Sequence, residues 1–326
     1  MNRWHTIVAG AAAGGAVALA GCAGTGAGPA GSSVRSPASR PTVTASPAGP
    51  TASAVPGGSP TVSLSSSESV PFTGDAVSLV IQASPASSSQ QPERLASATV
   101  SFGDGATVTV TGRCTGASLP PPSADLVVRH AYQQTGLVSP HVTAAAVCGQ
   151  PGRPDLAPGP SLRVLPAASA ASASWPQCTR SQIGVTAAGA GAGLGHVGVL
   201  FTLRNTSSAS CRLEGYPAMQ LFGSNGQALP TTVIRAVTGA YLFPAVVPHR
   251  VALPPGAVAS FDLQYGDNPF GAQANEAYAQ ACPAAASTEV TLPNAQDHAV
   301  VPASMAPCDG QVIVSPLVPG SQWLSP

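Results

Sequence analysis

The chain has 326 residues, and its composition excludes several classes of protein. Only 8% of the residues are charged, and 13 basic side chains balance 13 acidic ones, so the chain lacks the cationic surface that binds nucleic-acid phosphates. All the basic residues are arginine, which excludes mechanisms that need a lysine amine. With 35 glycines, 34 prolines and a positive mean hydropathy, the chain is too apolar for a disordered protein. Its length predicts about two domains.

The N-terminal segment predicts export. Arg3 supplies a positive start, and Ile7–Ala20 is an apolar run too short to span a membrane as a helix. The run ends in Leu19-Ala20-Gly21-Cys22, which resembles the lipobox of bacterial lipoproteins. That resemblance implies a signal peptide over residues 1–21 and attachment of acyl chains such as palmitate to Cys22. The alternative is ordinary cleavage after Ala20, which leaves a free thiol.

The number of cysteines favours lipid attachment. Seven cysteines in an exported chain leave one without a disulfide partner, and acylation of Cys22 leaves six for three disulfides. Residues 22–65 are nearly all Ala, Gly, Pro, Ser, Thr and Val, without an alternating period, and predict a disordered tether. We therefore expect domains held at the outer face of the cytoplasmic membrane by the lipid.

The first predicted domain covers residues 66–166 and is all-β. Apolar and polar residues alternate in its strand-like segments, which is typical of half-buried strands. Gly103-Asp104-Gly105 suits a tight turn that joins two of them into a hairpin. The predicted strands are Val77–Gln82, Ala98–Phe102, Ala106–Thr111, Leu126–Tyr132, Val138–Val147 and Leu162–Leu165.

Two motifs in this domain carry a resemblance. Phe102-Gly103-Asp104-Gly105, followed by His130-Ala131-Tyr132 and Gly136, resembles the polycystic-kidney-disease-type (PKD) domain. The resemblance implies an immunoglobulin-like β-sandwich that spaces or binds and does not catalyse. It also implies a structural, hydrogen-bonded His130, with a general base as the alternative. We predict that the side chain of Asp104 closes its own turn; the alternative is that it binds a cation.

An Ala/Ser-rich linker, residues 167–176, leads to a second predicted domain, residues 177–320, with a tail over 321–326. The clearest strand is Ala257–Tyr265, in which apolar side chains alternate with Val258, Ser260, Asp262 and Gln264. No segment combines helical apolar spacing with caps, so we predict a second β-sandwich. The predicted fold class is therefore all-β: two consecutive disulfide-bonded β-sandwich domains after a signal peptide and a disordered tether.

The second domain also resembles a known family. Phe201-Thr202-Leu203-Arg204-Asn205, Cys211-Arg212-Leu213-Glu214-Gly215-Tyr216-Pro217 and Leu253-Pro254-Pro255-Gly256 resemble the actinobacterial domain of unknown function 4232 family. Its members are exported or lipid-anchored proteins of GC-rich Gram-positive bacteria. The resemblance implies a location and no particular chemistry.

The six remaining cysteines fall into two groups. Cys114 and Cys148 are the only pair in the first domain, which leaves three pairings for Cys178, Cys211, Cys282 and Cys308. Proximity in sequence and the family pattern favour Cys178–Cys211 and Cys282–Cys308. The alternative is a metal site, but zinc-type spacing such as Cys-x-x-Cys is missing. An exported chain is also in an oxidising setting that favours disulfides.

No motif predicts catalysis. Gly193-x-Gly195-x-x-Gly198 matches the dinucleotide fingerprint, but a Gly/Ala run precedes it and a strand follows, so we interpret it as a flexible loop. Gly-x-Ser-x-Gly does not occur. We predict a lipid-anchored, non-catalytic binding or spacing module at the cell envelope, without cofactor or metal. Its predicted partners are the membrane, through the lipid, and a cell-wall glycan or another envelope protein; nucleic acid is not among them. The alternatives are an envelope hydrolase with a loop-borne Ser/His/acid site and a carrier of an apolar ligand.

Overall fold

The computed structural model describes residues 58–85, 93–114, 125–150, 152–269 and 277–324. The predicted signal peptide, the lipid attachment at Cys22 and most of the predicted tether lie outside these residues. In the described residues the fold is all-β, and this prediction is confirmed. They contain no helix that is both long enough and apolar enough to cross a membrane.

In the described part of the chain, nine strands form the first sandwich. One sheet has the order β5-β2-β1-β8, a second has the order β4-β3-β7, and β6 pairs with β9. The strands are β1 (Thr61–Ser66), β2 (Ala76–Ser84), β3 (Leu95–Ser101), β4 (Thr107–Thr111), β5 (Leu126–Ala131), β6 (Gly136–Val138), β7 (His141–Val147), β8 (Asp155–Leu156) and β9 (Leu162–Val164).

The alternation of apolar residues accounts for the core of this sandwich. In β2, for example, Val77, Leu79 and Ile81 are fully buried, and the residues between them face outward. Gly103-Asp104-Gly105 joins β3 to β4, as predicted, with Ser101 opposite Thr107. The single strand predicted over residues 138–147 is instead divided into β6 and β7, and Pro140, which has no N–H to donate, lies between them.

The predicted tether is wrong at its C-terminal end. Residues 61–65 belong to β1, which pairs along its whole length with β2. Val62 and Leu64 are buried in the core of the first sandwich. Only two apolar residues alternate in this strand, so its period is too short to stand out from the Pro/Ser-rich sequence before it.

The second sandwich contains the remaining strands. A larger sheet has the order β10-β11-β16-β19-β14, with β20 also paired to β16, and it packs against the sheets β13-β17-β18 and β12-β15. The elements are β10 (Ile183–Gly193), β11 (His196–Asn205), β12 (Cys211–Glu214), β13 (Ala218–Phe222), β14 (Thr232–Arg235), β15 (Arg250–Leu253), β16 (Val258–Gly266), α1 (Tyr278–Ala281), β17 (Ala285–Thr291), β18 (His298–Met305), β19 (Gln311–Val314) and β20 (Val318–Pro319).

The central strand β16 is buried on both faces. Phe261 and Leu263 point into the core of the second sandwich, where the rings of Phe261 and Phe201 stack with centroids 4.8 Å apart. The opposite face carries Ser260, Asp262 and Gln264, which are also buried. A polar row that alternates with apolar residues predicts a solvent-facing side. The tertiary structure instead covers this face.

Disulfide bonds are confirmed by the structure. They join Cys114 to Cys148, Cys178 to Cys211, and Cys282 to Cys308, the same pairs that the sequence analysis favours. The first lies in the first sandwich. Cys178–Cys211 belongs to the core of the second sandwich, whereas Cys282–Cys308 joins α1 to the 3-10 turn Cys308–Gly310.

The two sandwiches lie within one compact unit, Ala54–Pro326, and share an apolar cluster. The first sandwich contributes Val70, Phe72 and Leu165, and the second contributes side chains that include Phe243 and Leu324. Leu324 is almost fully buried, although residues 321–326 are predicted as a tail. The difference arises because one leucine has no visible periodicity, and only the tertiary structure supplies its partners.

Candidate functional site

A polar pocket lies at one end of the second sandwich, where β16 ends and β11 begins. It has a volume of about 160 Å³, and we call it the His196 pocket. His196 and Gly266 face each other across the two strands at its base. Most of the residues that line it have polar side chains, although apolar atoms form the larger part of its surface; the lining comprises His196, Gln264, Tyr265, Gly266, Asn268, Cys308, Asp309, Gln311 and Ile313.

A tight hairpin turn positions His196. β10 and β11 are joined by Leu194 and Gly195 alone, with Gly193 paired to His196. Both turn residues have positive φ, 48° and 79°, as a two-residue type I′ turn requires. The leucine is strained in this conformation and its side chain is 83% exposed, so the hairpin tip presents an apolar side chain beside a polar pocket.

The imidazole of His196 is held from two sides. Its ring stacks on that of Tyr241, with centroids 4.9 Å apart and 28° between the planes. Nδ1 of His196 lies 3.3 Å from Nε2 of Gln264, and the other end of that amide accepts a 2.6 Å hydrogen bond from the N–H of Leu242. Gln264 therefore connects the segment that carries Tyr241 to the pocket. Tyr241 itself is 56% exposed, so an uncovered aromatic side chain adjoins His196, which lines the pocket.

The Cys282–Cys308 disulfide supports the opposite wall. Cys308 lines the pocket, and Asp309 follows it with a φ of 61°. The disulfide anchors α1, whose first residue, Tyr278, is exposed. Burial, together with the nearby Asp267 and Tyr278, raises the pKa of Tyr265, whereas a hydrogen bond from the backbone of Ala306 opposes the rise. Tyr265 is therefore a neutral hydrogen-bonding wall of the pocket at neutral pH.

Asp262, two residues before Gln264, is a buried carboxylic acid. Its Oδ2 accepts a 2.8 Å hydrogen bond from the N–H of Leu324, but Oδ1 has no donor among the described residues. Burial raises the pKa of Asp262 to about 7, although the bond from Leu324 acts in the opposite direction. The group fastens the C-terminal segment to β16.

The predicted His130 and Asp104 come together in the first sandwich. His130 Nε2 lies 2.6 Å from Asp104 Oδ2, and its ring stacks on Phe102 at 3.9 Å. Asp104 also accepts a hydrogen bond from the N–H of Ala106, which closes the turn. Burial opposes ionisation of Asp104, but these hydrogen bonds outweigh it and lower its pKa. The buried Tyr132 donates to the carbonyl oxygen of Phe102.

In the described residues, the histidine side chains do not form hydrogen bonds with serine hydroxyls. His130, His249 and His298 each face a carboxylate. His196 contacts the Gln264 amide, and Nδ1 of His141 contacts the carbonyl oxygen of Ser139. The same part of the chain also contains no group of three or more His, Cys, Asp or Glu side chains that is arranged to hold a metal ion.

The glycine motif that ends at Gly198 forms a tight turn and part of a strand, and not the flexible loop predicted for it. Gly195 belongs to the hairpin turn, and Gly198 lies within β11. A Cβ on Gly198 would lie 2.4 Å from Cη2 of Trp323. The missing side chain makes room for the indole, which meets Phe243 edge-on. No sequence motif contains Tyr241, Gln264 or Trp323, so the sequence alone does not relate these residues to one another.

The comparisons with known proteins concern mainly the second sandwich. Residues 178–318 match the family described as Domain of unknown function (DUF4232), so a DUF4232 domain is present there, as predicted. No curated protein matches the chain. A solved structure of the Yersinia pseudotuberculosis adhesin InvE is similar over 63% of this chain and 55% of that chain, with 12% identity and a TM-score of 0.19. The chain thus spans little more than half the length of that adhesin.

Proposed function

We propose that the protein is an actinobacterial lipoprotein, anchored through Cys22 to the outer face of the cytoplasmic membrane, that binds a cell-wall glycan without catalysis. The ligand occupies the His196 pocket, and the tether carries the two sandwiches away from the membrane. The observation that carries the binding proposal is the exposed Tyr241 ring, stacked on His196 beside a cluster of amide and carboxylate groups.

The chemistry of a sugar suits this arrangement. A pyranose ring has an apolar C–H face and a rim of hydroxyl groups, so it needs an aromatic platform and nearby donors and acceptors. Tyr241, which stacks on the pocket residue His196, offers the platform, and Asn268, Asp309 and Gln311 in the lining offer the polar partners. A volume of about 160 Å³ holds a group the size of one hexose, and further units of a polymer would lie over the exposed rim.

The first sandwich acts as a PKD-type supporting module in this proposal. Its histidine and aspartate are held in a 2.6 Å contact, and the aspartate also closes the turn between β3 and β4. Burial raises the pKa of Tyr132 to about 12, and the nearby Asp104 adds to this, so Tyr132 remains a neutral hydrogen-bond donor. Such a network stabilises a fold and leaves no free base.

Binding is tested with protein that starts at Ala54, because Ala54–Pro326 forms one compact unit. Calorimetric titration with solubilised cell-wall glycan fragments is expected to show binding that weakens by about three- to tenfold in Tyr241→Ala, as expected for one aromatic contact. Tyr241→Phe keeps the ring and retains the affinity. Val300→Ala is the distant control, since Val300 is exposed on β18.

Equal affinities of the Tyr241→Ala and Val300→Ala proteins would refute the site, and absence of binding to all fragments would refute the ligand class. Labelling of the same protein by a serine-hydrolase probe would contradict the non-catalytic assignment.

The anchor is tested separately in cells. Cys22→Ala removes the thiol that would carry the lipid, so the variant is expected to leave the membrane fraction, whereas the unaltered protein stays in it. A variant that remains as strongly membrane-bound as the unaltered protein would rule out this anchor. The fractionation does not depend on ligand binding, so the lipid anchor and the glycan site are tested separately.

A second candidate function, carriage of an apolar ligand, is favoured by a groove between the sheets of the second sandwich. The groove has a volume of about 290 Å³, and small and apolar residues form most of its lining: Ala187, Ala188, Gly189, Val197, Gly198, Val199, Tyr265, Pro302, Ala303, Ser304 and Met305. Native mass spectrometry of protein purified from its own cells tests this candidate. A mass equal to that of the polypeptide and its modifications alone would count against it.

A further inference from the structure

Among the described residues, a single charged side chain lines a cleft between the two sandwiches. The cleft has a volume of about 430 Å³ and lies between the β6–β9 pair and the segment Pro319–Gln322, and we call it the Arg163 cleft. Arg163 also lines a neighbouring cavity of about 160 Å³, together with Pro244 and Leu324. None of the described residues that line either cavity is an aspartate or a glutamate.

The strand pattern directs Arg163 to the cleft. In β9, Leu162 and Val164 are buried in the core of the first sandwich, so the arginine between them points to the other face. Leu137 lies directly opposite Arg163 in the paired strand β6 and is 68% exposed. A cation and an uncovered apolar side chain are thus adjacent on the wall of one cleft.

One donor of the Arg163 guanidinium group, Nε, lacks a hydrogen-bond acceptor in the described part of the chain. Arg163 Nε is buried and forms no hydrogen bond there, although the backbone N–H of the same residue donates to the carbonyl oxygen of Ser69. A buried donor without an acceptor lowers stability. A carboxylate satisfies this group best, because its two oxygens match the parallel N–H bonds of a guanidinium.

We propose that the Arg163 cleft binds a ligand with one carboxylate and an apolar body. Arg163 holds the carboxylate, and Leu137, Leu165 and Pro319 cover the apolar body. Both a small carboxylic acid and the C-terminal residue of a peptide have this chemistry. The site is separate from the His196 pocket and does not depend on the glycan proposal.

The test uses a matched pair of probes, N-acetyl-leucine and N-acetyl-leucinamide, which differ in the carboxylate alone. They are titrated by NMR into protein that starts at Ala54, and the Nε–Hε signal of Arg163 is followed. The acid is expected to shift this signal and to bind at least about tenfold more tightly than the amide, as for a hydrogen bond to a charged group. Arg163→Gln is expected to lose the preference for the acid.

Arg129→Gln is the matched control, since Arg129 is an exposed residue of β5 that lines neither cavity. Equal binding of the two probes, no binding of either, or an unchanged preference in Arg163→Gln would overturn the proposal. Circular dichroism of the variant confirms that the fold is kept, and Arg163→Lys, which retains the charge without the fork, is expected to bind the acid with intermediate affinity.

A third probe, acetyl-Ala-Ala-Leu with a free carboxylate, distinguishes the two sources of the ligand. Tighter binding than that of N-acetyl-leucine assigns the site to peptide C-termini, because upstream residues then add contacts. Equal affinity assigns it to small acids. Both outcomes support the carboxylate site, and neither bears on the His196 pocket.

Discussion

The imidazole of His249, in the second sandwich, stacks on the ring of Phe72, in the first, with centroids 4.0 Å apart. Its Nε2 also lies 3.2 Å from Oδ2 of Asp75. Burial and the charge of Asp75 raise the pKa of the nearby Glu68, and His249 lowers it in part. One histidine thus contributes both an aromatic and a polar contact between the sandwiches.

We expect His249→Ala to weaken the junction between the sandwiches. The variant loses an aromatic contact and a partly exposed imidazole–carboxylate contact, so the free energy of unfolding should fall by about 1–2 kcal/mol. Urea unfolding at pH 7 measures this loss, and limited proteolysis within residues 167–176 is expected to become faster. The matched control is His298→Ala, which removes an exposed histidine 3.3 Å from Glu289 within the second sandwich and should change stability by less than about 0.5 kcal/mol. Equal effects of the two substitutions would contradict a special role for His249.

Gly198→Ala tests how tightly Trp323 packs against β11. The new Cβ would overlap the indole and approach Cδ1 of Leu242 at 3.3 Å, so we expect a loss of about 1–3 kcal/mol in the free energy of unfolding, as for other overpacked sites. Tryptophan fluorescence should shift to longer wavelength as the indole is displaced. Gly189→Ala on the neighbouring strand is the control, because nothing lies within 4 Å of its Cβ position. A Gly198→Ala protein with the stability and emission of the control would show that the indole is not held there.

Asp262→Asn tests the buried carboxyl group through pH. The pKa of Asp262 is about 7 in the folded chain, against an ordinary value of 3.8, so the folded state binds more protons between these values. Stability due to this group is therefore complete below about pH 4 and falls as the pH rises to about 7. The total loss is at most about 4 kcal/mol, since one pKa unit corresponds to about 1.4 kcal/mol.

The quantity to measure is the difference in unfolding free energy between the wild type and Asp262→Asn at pH 5 and at pH 8. Asparagine keeps the oxygen that accepts from Leu324 but does not ionise, so the variant should gain relative to the wild type at the higher pH. Asp297→Asn, at an exposed position, controls for the loss of one negative charge. A difference that stays constant between the two pH values would contradict an ionising Asp262.

Much of the fold was predictable because its determinants are local in sequence. Alternation in β2 indicates which side chains face the core, and Gly103-Asp104-Gly105 indicates the hairpin between β3 and β4. The His196 pocket was not predictable in the same way. Tyr241 lies in a segment without a strand pattern, and its partner His196 is in a strand 45 residues earlier, so no local period relates them.

The sequence by itself determined the all-β class, the DUF4232 domain and the disulfide chemistry. The reason is that a period of two, the family's motifs and the count of cysteines are all properties of the chain. Tertiary structure alone decided what covers each face. The alternation in β16 predicts that its polar row faces solvent, yet the row is buried, because Gln322 and Leu324 return to donate hydrogen bonds to Ser260 and Asp262. Likewise, Arg163 is an ordinary outward-facing residue of β9, and it lines a cleft, as the one cation there among the described residues, because the second sandwich faces it. Burial depends on contacts between segments that are distant in sequence. A strand pattern indicates the face on which a residue lies, but it does not indicate what packs against that face.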